Sequence, residues 1–591
     1  VTGVDSVARV AAALRRGMGA IRLRLAGTDL AELRRVATAI GQWRRKAANH
    51  PLSRAARAHT RRIAKRWRPR GRIEKTLSVF ALVVQAAFLF IVPICDNPDS
   101  YSYMKLSEFL LGFDIKSLNE YYYRTPGYSL IIALSGFPIT GDLYVLILVQ
   151  SAMAVAMPLI AYRTLLPFGR RAATVAGFGL CATLLPNIFS TTLMTEQPYM
   201  FFLLVAAYLA TRIITRSNPS YVWMATAALL ALTMVRPVGE GLLFLPLVLV
   251  LLARRSLVRP AFSALLAAIF VLAIWVIARD TLSRLAPEPR RYDPPVFSLD
   301  LTHLGGVALF YTTYVFGQSS IEPPDLNRYR DGQIRYSYWK AQNKIRPENG
   351  PATARLLAVY EDFFERNRTR LPQYADFQDF LENVSRPSHS NWGMIWSEIV
   401  VGSLGAVEGN DLLRQVSVEA IKARPEILVN VGFSALMYLM GPPFHVLVGA
   451  EMVLVRPAMP LTQFFQHHYG PLAAAERDAH WMSTRHPEVL SILSAVWGWA
   501  MLVLKPVVFL VIVSLVPTVL RRASDARAAF LTFAMMLLYH AAAHAVFVGT
   551  LPERYIYIAL PFYVLLLAFS VAGGKTRKKR PAPIDVGREV R

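Results

Sequence analysis

Residues 77–95 read LSVFALVVQAAFLFIVPIC and run directly into Asp96-Asn97-Pro98-Asp99. The run carries no charge. A helix rising 1.5 Å per residue needs about 20 such residues to cross ~30 Å of hydrocarbon. Comparable runs lie at Leu143 to Ala161, Pro198 to Ala210 and Tyr555 to Val571. In lipid only helices and closed barrels satisfy their backbone groups, and these runs lack the alternation of barrel strands. For a chain of 591 residues, 54% of them hydrophobic, the reading is an all-α polytopic membrane protein, a transmembrane helix bundle with an outward soluble region.

Charge orients the bundle. Residues 1–75 hold 20 Lys and Arg against 4 Asp and Glu, and Lys575 to Arg580 form a second basic run. Cytoplasmic flanks carry excess Lys and Arg, so both termini read as cytoplasmic, in a bacterial inner or plasma membrane. Anionic lipid of the inner leaflet is the nearest partner for such segments, which leaves no need for nucleic acid. The first span lies too deep in the chain for a cleaved signal peptide and is expected to stay as an anchor. Cys95 and Cys181 show no ligand spacing and no disulfide framework.

Six regions follow. Residues 1–76 form a basic cytoplasmic arm, amphipathic or disordered. Residues 77–278 form an N-terminal transmembrane module whose first outward loop is 96–142, with surface helices expected at 104–118 and 127–137. Further spans are expected at 143–162, 172–188, 198–211, 221–235, 239–253 and 261–278. Arg163, Arg170 and Arg171, then Arg212 and Arg216, then Arg254, Arg255 and Arg259 fall in every second link, as inward loops should. Residues 279–425 shift to polar and aromatic composition and read as an outward, mostly helical domain, with its clearest helix at 351–370. Its Tyr336, Tyr338, Trp339, Trp392 and Trp396 could stack on sugar rings or pack its core. Residues 426–488 are an interfacial segment and loop, 489–572 hold the last spans, and 573–591 form a basic tail. About ten crossings result if Ile427 to Leu447 lies at the interface.

Five short motifs place ionisable residues on the outward side, where each needs a partner or a function. Asp99-Ser100-Tyr101-Ser102-Tyr103, with Asp96 just before it, offers a carboxylate that could take a proton from an attacking hydroxyl, or merely cap a helix. Arg124-Thr125-Pro126-Gly127-Tyr128 offers a guanidinium fork for phosphate or a lipid headgroup. Glu196, in Thr195-Glu196-Gln197-Pro198, opens a span where the helix dipole favours an anion. Arg236, in Arg236-Pro237-Val238-Gly239-Glu240, is suited to a lipid phosphate, or to pairing with Glu240 if a helix ran through Pro237. Glu553 and Arg554 open the last span, where snorkelling and phosphate binding compete.

In order, these motifs resemble those of the GT-C superfamily, membrane glycosyltransferases that use polyprenyl-phosphate sugars, including protein mannosyltransferases and lipid A aminoarabinose transferases. The resemblance runs from about 77 to 572 and leaves the basic arm outside it. It rests on Asp99 or Asp96, on Arg124 to Tyr128, on Thr195-Glu196, on Arg236-Pro237, and on Glu553-Arg554-Tyr555 with Leu560-Pro561. It implies a GT-C-like bundle and transfer of a sugar from a lipid monophosphate to an acceptor hydroxyl, with inversion. Asp99 would be the general base, with Asp96 the alternative. Arg124, Arg236 and Arg554 would hold the donor phosphate, and Glu196 would orient the sugar or an arginine. Tyr128 and Glu553 complete the expected substrate-binding set. The partners implied are the donor lipid, a lipid, glycan or protein acceptor, and membrane lipids. No cofactor is required and no metal site is spelled out, although some relatives bind divalent ions. Rival readings are a transporter or flippase of a lipid-linked substrate and a polysaccharide ligase or polymerase.

Overall fold

The computed structural model describes residues 69, 71–91, 100–111, 125–140, 143–284, 347–372, 374–383, 399–400, 403–425, 487–521, 524–547 and 558–572. The chain divides into two compact units, Val1–Gly71 and Arg72–Arg591, and every helix below belongs to the second. Among the described residues the regular structure is helical throughout.

Among the described residues, five helical segments are long and apolar enough to cross a membrane: Arg72–Ile91, Tyr144–Phe168, Glu196–Thr215, Arg255–Trp275 and Ser524–Ala543. Shorter apolar helices cover Pro219–Val235, Val238–Ala253, Leu504–Leu520 and Leu560–Ser570. Large apolar side chains such as Val79, Phe80 and Phe90, or Leu148, Phe270 and Ile277, stay exposed on these helices. Apolar surface on that scale marks a face made for lipid or for a partner. The architecture is that of an all-α membrane protein.

The principal helices are α1 (Arg72–Ile91), α2 (Ser100–Leu110), α3 (Pro126–Leu134), α4 (Tyr144–Leu165), α5 (Arg170–Ala182), α6 (Leu185–Ser190), α7 (Glu196–Thr215), α8 (Pro219–Val235), α9 (Leu245–Ala253) and α10 (Val258–Arg284). They continue with α11 (Pro351–Asn367), α12 (Ala406–Ala423), α13 (Pro487–Leu520), α14 (Ser524–Phe547) and α15 (Leu560–Ala572). The centre of the bundle is α7, packed against α4, α8 and α14, while α15 lies against α5, α13 and α14.

Proline decides where several helices stop. The span expected at 172–188 is broken, because a helix continuing through Pro186 would drive its ring into the carbonyl of Ala182. Helix α5 ends at Ala182, and Leu184 takes a left-handed conformation with φ of 52° before α6 begins. The same clash ends α8 at Val235, just ahead of Pro237, and an eight-residue 3-10 segment, Pro237–Phe244, follows. Helices form in the described parts of the stretches 104–118 and 127–137, as α2 and α3, each starting slightly before its expected position.

Basic residues gather at one end of the bundle. Arg163, at the end of α4, donates from Nε and Nη2 to the two Glu74 carboxylate oxygens at the start of α1, at 3.2 and 3.0 Å. Arg254, after α9, donates to Ile214 O at the end of α7 at 2.5 Å and to Asp525 at the start of α14 at 3.3 Å. Gln197 Nε2 at the start of α7 donates to Gln150 O near the start of α4, so α4 and α7 run in the same direction. Both arginine clamps therefore sit at the same end, and the starts of α4 and α7 lie at the other.

Helices α11 and α12 pack through Leu356, Tyr360 and Phe364 against Leu413 and Val416. The helix expected at 351–370 forms as α11 and a closing 3-10 turn, Arg368–Arg370. Its first N–H groups have no partner within the helix. Glu419 of α12 supplies one, accepting from Ala352 N at 2.9 Å and from Thr353 N and Oγ1 at 2.8 Å. Gly350 leaves room for that carboxylate, which a Cβ there would strike. Burial pushes the Glu419 carboxyl up, but the hydrogen bonds from Ala352 and Thr353 and the charge of Lys422 outweigh it and hold the carboxyl below its ordinary value. The unfolded chain therefore binds the extra proton first. The stabilisation is complete above the ordinary carboxylate pKa and is lost as pH falls through the lowered one. Glu419→Ala is expected to cost on the order of 1 kcal/mol, as for a lost N-cap. Amide exchange at the first turn of α11 should then speed up at neutral pH and lose its acid dependence. Exchange identical to wild type across the pH range would refute the cap.

Candidate functional site

At the end opposite the arginine clamps, the first residue after α8 is decisive. Arg236 precedes a proline, and the Pro237 ring disfavours helical backbone in the residue before it. Arg236 accordingly takes φ −150° and ψ 130°. The expected alternative, a helix carrying Arg236 and Glu240 on one face, does not form. Arg236 turns instead toward the start of α7, and its Nη1 donates to Glu196 Oε1 at 3.1 Å. The Glu196 side chain is 0% exposed and that of Arg236 is 13% exposed. The carboxylate also lies in the first turn of α7, where the helix dipole favours a negative charge. The Arg236 guanidinium stands 5.9 Å from the centre of the Tyr199 ring, one turn further along α7.

The described parts of the other motifs meet the same corner. Thr125 Oγ1 donates to Val235 O at 2.9 Å, one residue before Arg236. At Gly127 a Cβ would stand 2.5 Å from the Met234 backbone, so only glycine lets α3 come this close to α8. The Tyr128 hydroxyl donates to Gln150 Oε1 at 2.9 Å. Burial, and then the Glu196 carboxylate, raise the Tyr128 phenol well above its ordinary value, so it stays protonated as a donor. Ser100, next in the chain to Asp99, donates from Oγ to Leu193 O at 2.6 Å.

The stretch from Leu184 to Thr195 makes these meetings possible. Backbone polar groups buried inside protein need hydrogen-bond partners, and this irregular stretch finds them in side chains. Gln150 Nε2 donates to Ser190 O at 2.9 Å and to Thr192 O at 3.1 Å. Gln85 of α1 donates to Ser151 Oγ and Ser190 Oγ, and accepts from Asn187 Nδ2. Sequence reading missed Gln85, Gln150, Asn187 and Tyr199. A signal for two of them was present, since Gln85 and Gln150 are lone amides inside uncharged and mostly apolar runs. Ser129 Oγ and Gln197 Oε1 are buried with no hydrogen-bond partner, so polar capacity remains beside Tyr128 and Glu196.

Of the sequence-derived site residues, Tyr128, Glu196 and Arg236 thus come together. Asp96, Asp99, Arg124, Glu553 and Arg554 lie outside the described residues, as do the aromatics at 336–339 and 392–396 and the segment 427–447. Among the described residues, no group of three or more His, Cys, Asp or Glu side chains is placed to hold a metal ion. Comparison with protein-family models, with curated proteins and with solved structures finds no match. The chemistry of the corner must be read from its residues. It offers a cation oriented by a buried carboxylate and an aromatic face, at the end of the bundle where the first loop begins.

Proposed function

We propose that the chain is a membrane glycosyltransferase of GT-C type, with the Arg236 end of the bundle facing away from the cytoplasm. It would move a sugar from a polyprenyl-phosphate donor to an acceptor hydroxyl, with inversion. One observation carries the reading: the buried Arg236–Glu196 pair stands where the described parts of four sequence motifs, from positions 100 to 236, run together. The arginine clamps at the opposite end agree with cytoplasmic termini, since Lys and Arg accumulate on that side.

In this reading Asp99, or else Asp96, takes the proton of the acceptor hydroxyl as its oxygen attacks the anomeric carbon. The bond from that carbon to the phosphate oxygen breaks, and its electron pair leaves with the polyprenyl phosphate. Negative charge grows on the phosphate, and Arg236, with Arg124 and Arg554, stabilises it. Glu196 keeps the Arg236 guanidinium in place before the donor arrives, so little reorganisation is left for the reaction step. Tyr128 remains a neutral donor at the same corner.

Envelope glycolipids and glycans compared by mass spectrometry, with and without the protein, should reveal one missing sugar residue and an accumulated polyprenyl-phosphate sugar. Asp99→Asn should reproduce the null phenotype while the protein folds. Arg236→Gln should slow transfer by about 10²–10³-fold, the range seen when one donor to a developing anion is removed. Identical envelopes in all strains, with Asp96→Asn equally silent, would overturn the assignment.

A further inference from the structure

We infer that Tyr539 and His540, neighbours on α14, are positioning residues for Arg236, so that a helix some 300 residues later in the chain completes the site. The catalytic meaning of this inference rests on the function proposed above. Its geometry does not.

Arg236 begins as a poorly fixed group. It follows the end of α8, and an arginine side chain carries about 2 kcal/mol of rotamer entropy. A cation that must meet a developing charge has to be held within about 0.5 Å by supporting contacts. Glu196 holds one edge of the guanidinium, and the Tyr199 ring stands against it. Tyr199 is in turn held by α14. His540 Nδ1 lies 2.8 Å from Met536 O, and a carbonyl only accepts, so Nδ1 carries the proton. In the neutral ring this leaves Nε2 as the acceptor, and the Tyr199 hydroxyl donates to it at 2.8 Å. Both partners are fully buried. The tautomer of one histidine therefore fixes the ring beside the arginine.

Tyr539 grips the same turn from its backbone. Its hydroxyl donates to Val238 O at 2.7 Å and accepts from Gly241 N–H at 3.0 Å. It thereby ties together both ends of the turn that follows Arg236. A Cβ at Gly241 would stand 2.5 Å from Tyr539 Cε2, so the approach needs glycine. Successive side chains on a helix diverge by about 100°, so one residue reaches the 3-10 segment and its neighbour reaches α7. Arg236 is the point where those two elements meet. Asp525 bonds Arg254 at the start of α14, so that helix is fastened at both levels.

The test uses the full chain in nanodiscs, with a polyprenyl phosphate as binding probe and steady-state transfer as the second readout. Tyr199→Phe, His540→Leu and Tyr539→Phe should each lower kcat by about tenfold or more, the lower edge of losses from removing outer support at a ligand-holding residue. Donor KM should move little, while each variant also loses some stability from the buried polar group it leaves without a partner. His540→Gln, which can place an amide oxygen where Nε2 stood, should recover most of the loss. Wild-type kcat in Tyr199→Phe and His540→Leu, alongside a defective Arg236→Gln, would overturn the positioning role and leave the enzyme reading intact. If wild type neither binds the probe nor transfers, the enzyme reading fails. The positioning claim is then judged by a stability cycle pairing Arg236→Gln with His540→Leu. Non-additive losses support it, and additive losses overturn it.

Discussion

Glu196→Gln lowers the stability of the protein by about 3–5 kcal/mol, because it leaves a mostly buried guanidinium without its counter-charge. Glu196 is completely shielded and Arg236 nearly so, which places the pair in the regime where removing one partner hurts more than removing both. The double variant Glu196→Leu/Arg236→Met is accordingly expected to recover to within about 1 kcal/mol of wild type, since apolar replacements of buried pairs are often neutral or better. The sugar transfer proposed above should not recover with it. An SDS titration in mixed micelles, run beside the transfer assay, separates the two quantities. A single variant as stable as wild type would mean that the pair is not held in isolation from water, and a double variant that transfers sugar would remove Arg236 from the reaction.

Gln150→Leu is the second large effect. The amide of Gln150 donates to Ser190 O and Thr192 O and accepts from the Tyr128 hydroxyl. Leucine has similar bulk and none of these groups. Thr192 O keeps the Met194 N–H, but Ser190 O and the Tyr128 hydroxyl lose the amide, and at about 1–3 kcal/mol for each buried polar group left without a partner the two together should cost about 2 kcal/mol or more. The damage should be local to the stretch from Leu184 to Thr195 and to the start of α7. Adding Tyr128→Phe to Gln150→Leu should cost less than Tyr128→Phe does in wild type, because the hydroxyl has already lost its acceptor. A Gln150→Leu protein within about 0.5 kcal/mol of wild type, the range of ordinary surface substitutions, would show that the irregular segment does not depend on this amide.

Much of this arrangement can be read from residues in order, and the exceptions have a common cause. The apolar runs announce their helices, because length and the absence of charge are local properties. Pro237 announces the end of α8, and with it the extended conformation of Arg236, through a clash that needs only the chain itself. The break at Leu184 was equally legible from Pro186, yet a continuous apolar run from 172 to 188 outweighed it in the reading. Gln85 and Gln150 were visible as lone amides. Most of their partners were not, since these are two carbonyls, a hydroxyl and an amide of the Asn187 to Thr192 stretch, groups that any sequence carries. Tyr539 and His540 gave no signal at all, as aromatic and histidine residues in a span are compatible with simple packing.

The amino-acid order alone settles that this chain builds membrane-length helices and collects basic residues at alternate helix ends. It also assigns Tyr128, Glu196 and Arg236 to loops and helix starts, since hydropathy and charge act over a few residues at a time. Tertiary structure decides that Arg236 reaches across to Glu196, that Gly127 lets α3 lie on the α8 backbone, and that α14 carries the hydroxyl and ring nitrogen bonded to the 3-10 segment and to Tyr199. Those contacts join residues separated by 40 to 341 positions. Their existence depends on which helices pack side by side, and no local preference specifies that.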